Sequence, residues 1–248
     1  MMGLDATRVR AVIRKELTDY RRKRSIVVTM IVMPLLFLVE PIVAIFVAPP
    51  TEPPPAMDKF VVLPLLYMLL IAVIMPSTLA AYTVVGEREQ GTLEPTLTTP
   101  LSEQEFILGK SAAVLIPSVA LCYAVYGVFL LAVEASAKRA VAAAVFHDRP
   151  TLLALFVFAP LVAGWAVVVG LAVSVRATEV RVAQQLGTLA SLPMIVVIIL
   201  LISGVIHPTF VAAAEYAVGI LVADLLMLRI VARMFNRERL VTGAKATR

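Results

Sequence analysis

A chain of 248 residues that is 60% hydrophobic and 16% charged, with a mean hydropathy of +0.94, lies far outside the balance of soluble domains and falls in the membrane class. The net charge of +5 and pI near 9.6 would suit a nucleic-acid binder, but the basic residues gather at the ends of apolar runs, where anionic headgroups lie. Nucleic acid is therefore excluded as a partner and the lipid bilayer is expected, while the single Cys122, inside an apolar run, excludes an intramolecular disulfide and reads as packing.

In the first segment, residues 1–25, Val9, Val12, Ile13, Leu17 and Tyr20 recur at helical spacing while Arg8, Arg10, Arg14, Lys15, Asp19 and Arg21 take the other side. This is a basic amphipathic helix suited to the headgroup layer, and Arg21-Arg22-Lys23-Arg24 pins the turn into the membrane. A spanning helix needs about 20 mainly apolar residues. Six stretches qualify: 26–48, 60–85, 106–133, 152–175, 183–205 and 209–232. The first is too long for a signal peptide, lacks an Ala-x-Ala-like site and precedes five more spans, so it is expected to be retained. An even number of spans puts both termini on one side. The other side carries only Lys59, Lys138, Arg139 and Arg149, so the basic side, termini included, is expected to be cytoplasmic. The organisation is then a cytosolic helix at 1–25, a transmembrane domain at 26–233 and a cytosolic tail at 234–248.

Prolines punctuate the spans. Pro34 and Pro41 open one face of the first, and Pro64, Pro76, Pro117, Pro160 and Pro193 are expected to interrupt others. Ala166, Gly170 and Ser174 form a small-residue stripe in the fourth span that permits close helix contact. On the outer side, 49–59 is a proline-rich connector, Val141 and Val145 mark a short interfacial helix within 134–150, and 203–208 is only a turn.

The stretch between the second and third spans is structured and acidic. Gly86 and Gly91 bracket Glu87-Arg88-Glu89-Gln90, and Thr92 is placed to cap a short helix in which Leu93 and Leu97 share a face beside Glu94. Pro100 ends that element, and Ser102 with Glu105 forms a capping box that starts the next helix. The expectation is a stiff surface helix with an apolar ridge and carboxylates at 87, 89, 94, 103 and 105, able to fill a groove on a cytosolic protein.

The pattern Gly-Glu-Arg-Glu-x-Gly-Thr-Leu-Glu-Pro-x-Leu-x-Thr-Pro-Leu-Ser-x-x-Glu-x-x-x-Gly-Lys at 86–110 resembles the corresponding loop in permease subunits of type-2 ATP-binding-cassette exporters. Arg14-Lys15-Glu16-Leu17, Arg22-Lys23-Arg24 and Pro34 are similar to that family's N-terminal elbow and first span. The resemblance implies an all-α fold with six transmembrane helices, an amphipathic elbow helix and a cytosolic coupling helix near 92–98. It implies an ATPase-coupling loop (86–105) carried by Gly86, Glu87, Arg88, Glu89, Gly91, Thr92, Leu93, Glu94 and Leu97. It also implies two permeases, as a homodimer or paralogous heterodimer, assembled with two nucleotide-binding ATPase subunits that hold ATP and Mg. A re-entrant hairpin, where the family has one, would have to use residues of the fifth span.

No catalytic, cofactor or metal site is expected in the chain itself. Gly109-Lys110-Ser111 imitates the end of a phosphate loop, but Gln104 stands where its first glycine is needed and no strand precedes it. His147 and His207 have no ligand spacing. Acidic residues within spans cost roughly 2.5 to 3.5 kcal/mol at a helix centre, which makes Glu40, Glu215 and Asp224 candidate substrate-pathway residues. For Asp224 a structural hydrogen bond or ion pair, with Arg176 as one candidate partner, is favoured over a substrate or proton contact. The expected function is ATP-driven export of a hydrophobic or amphipathic substrate across the cell membrane. An ATP-independent transporter or channel, or a membrane anchor for a cytosolic protein, are the alternatives.

Overall fold

The computed structural model describes residues 5–47, 63–93, 99, 101–135, 142–143, 145–146, 149–202 and 210–234, which are helical or turn with no strand among them. Helix α1 (Ala6–Arg22) starts where Asp5 accepts the Thr7 amide through its side chain, and it ends on Arg21 and Arg22, which complement the negative end of the dipole. Only Lys23 separates it from α2 (Arg24–Val47). Helix α3 (Leu69–Glu89) continues a helical stretch at 63–67 through a turn at Met68. There follow α4 (Glu103–Ala135), α5 (Arg149–Arg176), α6 (Val180–Ala190), α7 (Leu192–Ile202) and α8 (Phe210–Met234).

Five apolar runs among the described residues are long enough to cross a membrane: Ile26–Val47, Leu63–Glu89, Glu103–Ala135, Leu155–Arg176 and Val180–Leu200. They coincide with five of the six expected spans. The sixth falls on α8, a 25-residue helix that carries Glu215, Asp224 and Arg229. The connector at 49–59, the turn at 203–208 with any hairpin there, and the tail beyond 234 lie outside the described residues; of the interfacial helix, 142–143 and 145–146 are helical, with Val145 buried.

One boundary differs from expectation, and one break falls where a proline is expected to interrupt a span. The helix of the second span runs on to Glu89, so residues 86–89 form its last turn and are not a loop. The fifth span is two helices, α6 and α7, meeting at Ser191, because Pro193 in the first turn of α7 has no amide to donate and crowds the preceding turn. Pro34, Pro41, Pro76, Pro117 and Pro160, by contrast, lie inside continuous helices.

Helix α3 is central, packed against α5, α6, α4, α2 and α7. Lipid tails are as apolar as leucine, so association within a bilayer rests on close contact and internal hydrogen bonds. The small residues of α5 provide both. A Cβ at Gly170 would lie 2.8 Å from Ala80 Cβ and 3.0 Å from the Ser77 carbonyl. One turn on, the Ser174 hydroxyl donates to the Ala81 carbonyl at 2.6 Å and accepts the Val84 and Val85 amides at 3.1 Å each. It thus sits at the rung where the Val85 amide would ordinarily meet Ala81. Helix α2 buries Ile26 and the stripe Pro34, Leu38, Pro41 and Ile45, so its two prolines share the packed face.

Gly170→Val is therefore expected to separate α3 from α5 and destabilise the bundle by about 1–3 kcal/mol. Thermal unfolding in detergent reads this, with Gly127→Ala as the control, since a Cβ at Gly127 meets open space. Equal melting of the two variants would show that the α3–α5 approach is not tight.

Candidate functional site

Helix α3 ends in a motif that the sequence spells out. The Gly91 amide donates to the Arg88 carbonyl at 3.1 Å and the Thr92 amide to the Glu87 carbonyl at 2.9 Å, the double closure of a Schellman motif. Gly91 adopts φ 67°, the left-handed region in which a side chain is strained. Gly86 is required for a different reason: a Cβ there would lie 2.8 Å from the Tyr82 ring. The last turn, Glu87-Arg88-Glu89, is in this way set at the junction of several helices.

Glu87 turns inward. It is 7% exposed and lies against Lys110 of α4, whose ammonium is completely buried. Lys110 Nζ donates to Glu16 Oε1 at 2.9 Å and to the Thr83 carbonyl at 3.0 Å, and forms an ion pair with Glu87 Oε2 at 2.8 Å. Lys15 donates to Glu87 Oε1 and to Glu16 Oε1, the latter at 3.2 Å, and reaches Asp19 at 3.4 Å. Two buried carboxylates and two ammonium groups thus close a neutral cluster that ties α1 to α3 and α4. Tyr20, also buried, stands one turn along α1. A Cβ at Gly109 would lie 2.7 Å from Val12 Cβ, so the glycine lets α1 approach closely enough for Glu16 to reach Lys110. The Gly109-Lys110 pair that imitates a phosphate loop therefore has a packing and charge-pairing role.

The neighbouring charges hold other helices. Arg88 donates from Nη1 to the Ala177 carbonyl at 2.7 Å and from Nη2 to the Val175 carbonyl at 3.0 Å, capping the C-terminus of α5. Glu89 Oε1 accepts the Val180 amide at 2.9 Å and caps α6, whose own N-cap residue Glu179 makes no side-chain bond. The expected capping box is present: the Glu105 amide donates to Ser102 Oγ at 3.2 Å and the Ser102 amide to Glu105 Oε2 at 2.7 Å. The other carboxylate oxygen of Glu105 accepts the Asp5 amide at 2.9 Å, fastening the start of α1.

The other expected site residues are placed as follows. Leu93 is 3% exposed and packs with Val84, Phe106, Ile107, Val168, Leu171 and Val231, so it belongs to the core of the bundle and not to an outward ridge. Glu87 corrects the picture of surface carboxylates in the same way, because its charge is met inside the bundle. Glu89, Gly91 and Thr92 are exposed. Glu94 and Leu97 lie outside the described residues. Glu40 and Glu215 are exposed on α2 and α8. Asp224 is not paired with Arg176: its Oδ2 would lie 2.8 Å from a Cβ at Gly164, its Oδ1 is buried without a partner, and Arg176 is exposed three turns further along α5.

Sequence reasoning missed Lys15, Glu16, Lys110 and Ser174 as site residues. The signal was present for two of them. Glu16 lies between Val12 and Tyr20 on what is otherwise the apolar face of α1, and Lys110 is a lone charge inside an apolar stretch.

The electrostatics of α1 follow from this geometry. Burial alone would raise the Glu16 carboxyl, but Lys110 and Lys15 outweigh it and hold the pKa below its ordinary 4.5. Burial would lower the Lys15 ammonium, yet Glu16 and Glu87 outweigh it and raise the pKa above 10.5. A lowered carboxylate contributes stability above its unfolded value and loses it as pH falls through the folded one. A raised ammonium contributes below its unfolded value and loses it as pH rises through the folded one. Docking of α1 is accordingly strongest between pH 4.5 and 10.5.

Over residues 12–175 of its 248, the chain matches the family described as ABC-2 family transporter protein. The matched stretch contains Glu16, Glu87, Arg88, Glu105, Lys110 and Ser174. No curated protein matches the chain.

Removing one member of a buried charge set leaves the others unmet, at about 3–5 kcal/mol. Lys110→Met is expected to loosen α1, read as faster hydrogen exchange of its amides. The double variant Glu16→Gln, Lys110→Met leaves Lys15 with Glu87 and should recover most of the protection. Unchanged exchange in the single variant would mean that the cluster does not hold α1.

Proposed function

The chain belongs to the ABC-2 family of transporter proteins, and we propose that it is the permease subunit of an exporter that uses ATP hydrolysis by a separate nucleotide-binding subunit to move a hydrophobic or amphipathic substrate outward. ATP and Mg reside on that subunit, which docks on the loop beyond Gly91, and the permease works beside a second permease in the cell membrane with both termini cytoplasmic.

One observation carries this reading: the two ends of the loop are bonded to α1, α5 and α6 through Glu105, Glu87, Arg88 and Glu89. A displacement of the loop by a closing ATPase would pass directly to these helices. Charge-assisted bonds of the kind Arg88 and Glu89 make are about twice as strong as neutral ones and hold direction, as a mechanical link requires. A plain anchor has no need to bind its docking loop to so many spans.

The distinguishing experiment is uptake of a fluorescent amphipathic cation into inverted membrane vesicles that contain the chain and its co-purifying ATPase. Uptake driven by ATP supports export. Uptake that ignores ATP and follows an ion gradient identifies a secondary transporter, and retention of the ATPase with no uptake of this or other amphiphiles identifies an anchor. Arg88→Ala should leave the ATPase bound while lowering ATP-driven uptake about tenfold, since a half-buried charged bond of about 1.5–3 kcal/mol is lost. Normal uptake by this variant would remove Arg88 from the link.

A further inference from the structure

Helix α1 has four distinct sides at about 100° per residue. Val12, Glu16 and Tyr20 are buried against the bundle. About 180° away, Arg10, Arg14, Arg21 and Arg22 are exposed. Between the two, one edge carries half-buried Ile13 and Leu17, and the other carries Lys15 and Asp19.

The charges are sorted with the sides. Each carboxylate at the start of α1 or within it already has a partner: Asp5 lies 3.6 Å from Arg8, Glu16 is 2.9 Å from Lys110, and Asp19 is 3.4 Å from Lys15. Among the described residues none of the four outward arginines meets a carboxylate. A shallow groove of about 570 Å³ runs along this side, its lining including Arg10, Arg14, Thr18 and Arg22 and, at its edge, Lys15 and Asp19, which pair with each other.

We propose that the outward side of α1 is a binding site for the phosphate groups of anionic phospholipids. Guanidinium groups donate to phosphate oxygens in a two-pronged geometry. Only Lys23 stands between α1 and the start of the first span, so α1 lies at the level of the headgroups. The apolar edge at Ile13 and Leu17 adjoins the arginine strip, which suits a ligand with a charged head and an acyl chain; a soluble acidic protein would have no use for that edge. The amphipathic character of α1 is thus divided: its deepest face grips the bundle, and its arginines recruit lipid.

Native mass spectrometry of the full chain in detergent, offered equal amounts of phosphatidylglycerol and phosphatidylcholine, tests this. The wild type is expected to retain phosphatidylglycerol with about a tenfold preference, and R10Q/R14Q/R21Q/R22Q to lose most of it. A control variant, Arg176→Gln with Arg181→Gln, removes exposed charge elsewhere and should keep the preference. The proposal is overturned if the wild type shows none, if the four-arginine variant keeps it, or if the control variant loses it equally. Equally tight binding of soluble glycerophosphoglycerol would make this a free-phosphate site. Loss of the ATPase by the four-arginine variant with lipid preference intact would make it a protein-docking face.

Discussion

The fully buried ammonium of Lys110 is the constraint on which the α1 end of the bundle depends. An ammonium group withdrawn from water is tolerable only when every proton is received and its charge is met. Here the ammonium donates to Glu16 of α1 and to the carbonyl of Thr83 and its charge is met again by Glu87, so a single side chain dictates that three helices meet at one point. Replacing the set with apolar residues would cost little stability in principle. What the charges add is register, because an apolar face could slide by a turn and Glu16 facing Lys110 cannot.

Around that point the short segment Glu87-Arg88-Glu89 distributes contacts with little redundancy. Glu87 serves α1 and α4, Arg88 the end of α5, and Glu89 the start of α6. Each uses an otherwise unmet group, either a buried ion or a helix terminus with orphaned amides or carbonyls. Four other helices are therefore referenced to one turn of α3, while α8 rests mainly on α5. The central position of α3 follows from the same economy. Ser174 and Gly170 bring α5 onto it so closely that a side-chain hydroxyl takes part in its backbone bonding.

Much of the fold was legible in the sequence, because apolar length and the spacing of Ser102 and Glu105 act locally. The helices of the spans, the amphipathic α1, the capping box and the α5 small-residue stripe all rest on such short-range rules. The misplaced features are those that tertiary packing decides. Residues 86–89 looked like loop because glycines flank four polar residues, yet Lys110 and the termini of α5 and α6 give those side chains partners, and the helix continues. Leu93 looked like an outward ridge because its pattern is shared by a surface helix, yet the gap between α4 and α5 takes it in. Asp224 was assigned Arg176 by charge alone, and what lies beside it is the bare backbone of Gly164, which no charge rule identifies.

The separation between Glu16 and Lys110 also bears on how the protein is made. The two residues lie 94 apart in the chain, so at translation rates of about 5–20 residues per second the glutamate waits roughly 5–20 s for its lysine. Until the end of that interval α1 has no Gly109 to pack on and no Lys110 to meet Glu16, and it stays at the surface. Its seating can occur only after the third span has been inserted in the correct direction. A chain in which α4 entered the membrane reversed would carry Lys110 to the other side and leave α1 undocked, so the closed cluster records that the first three spans were threaded correctly.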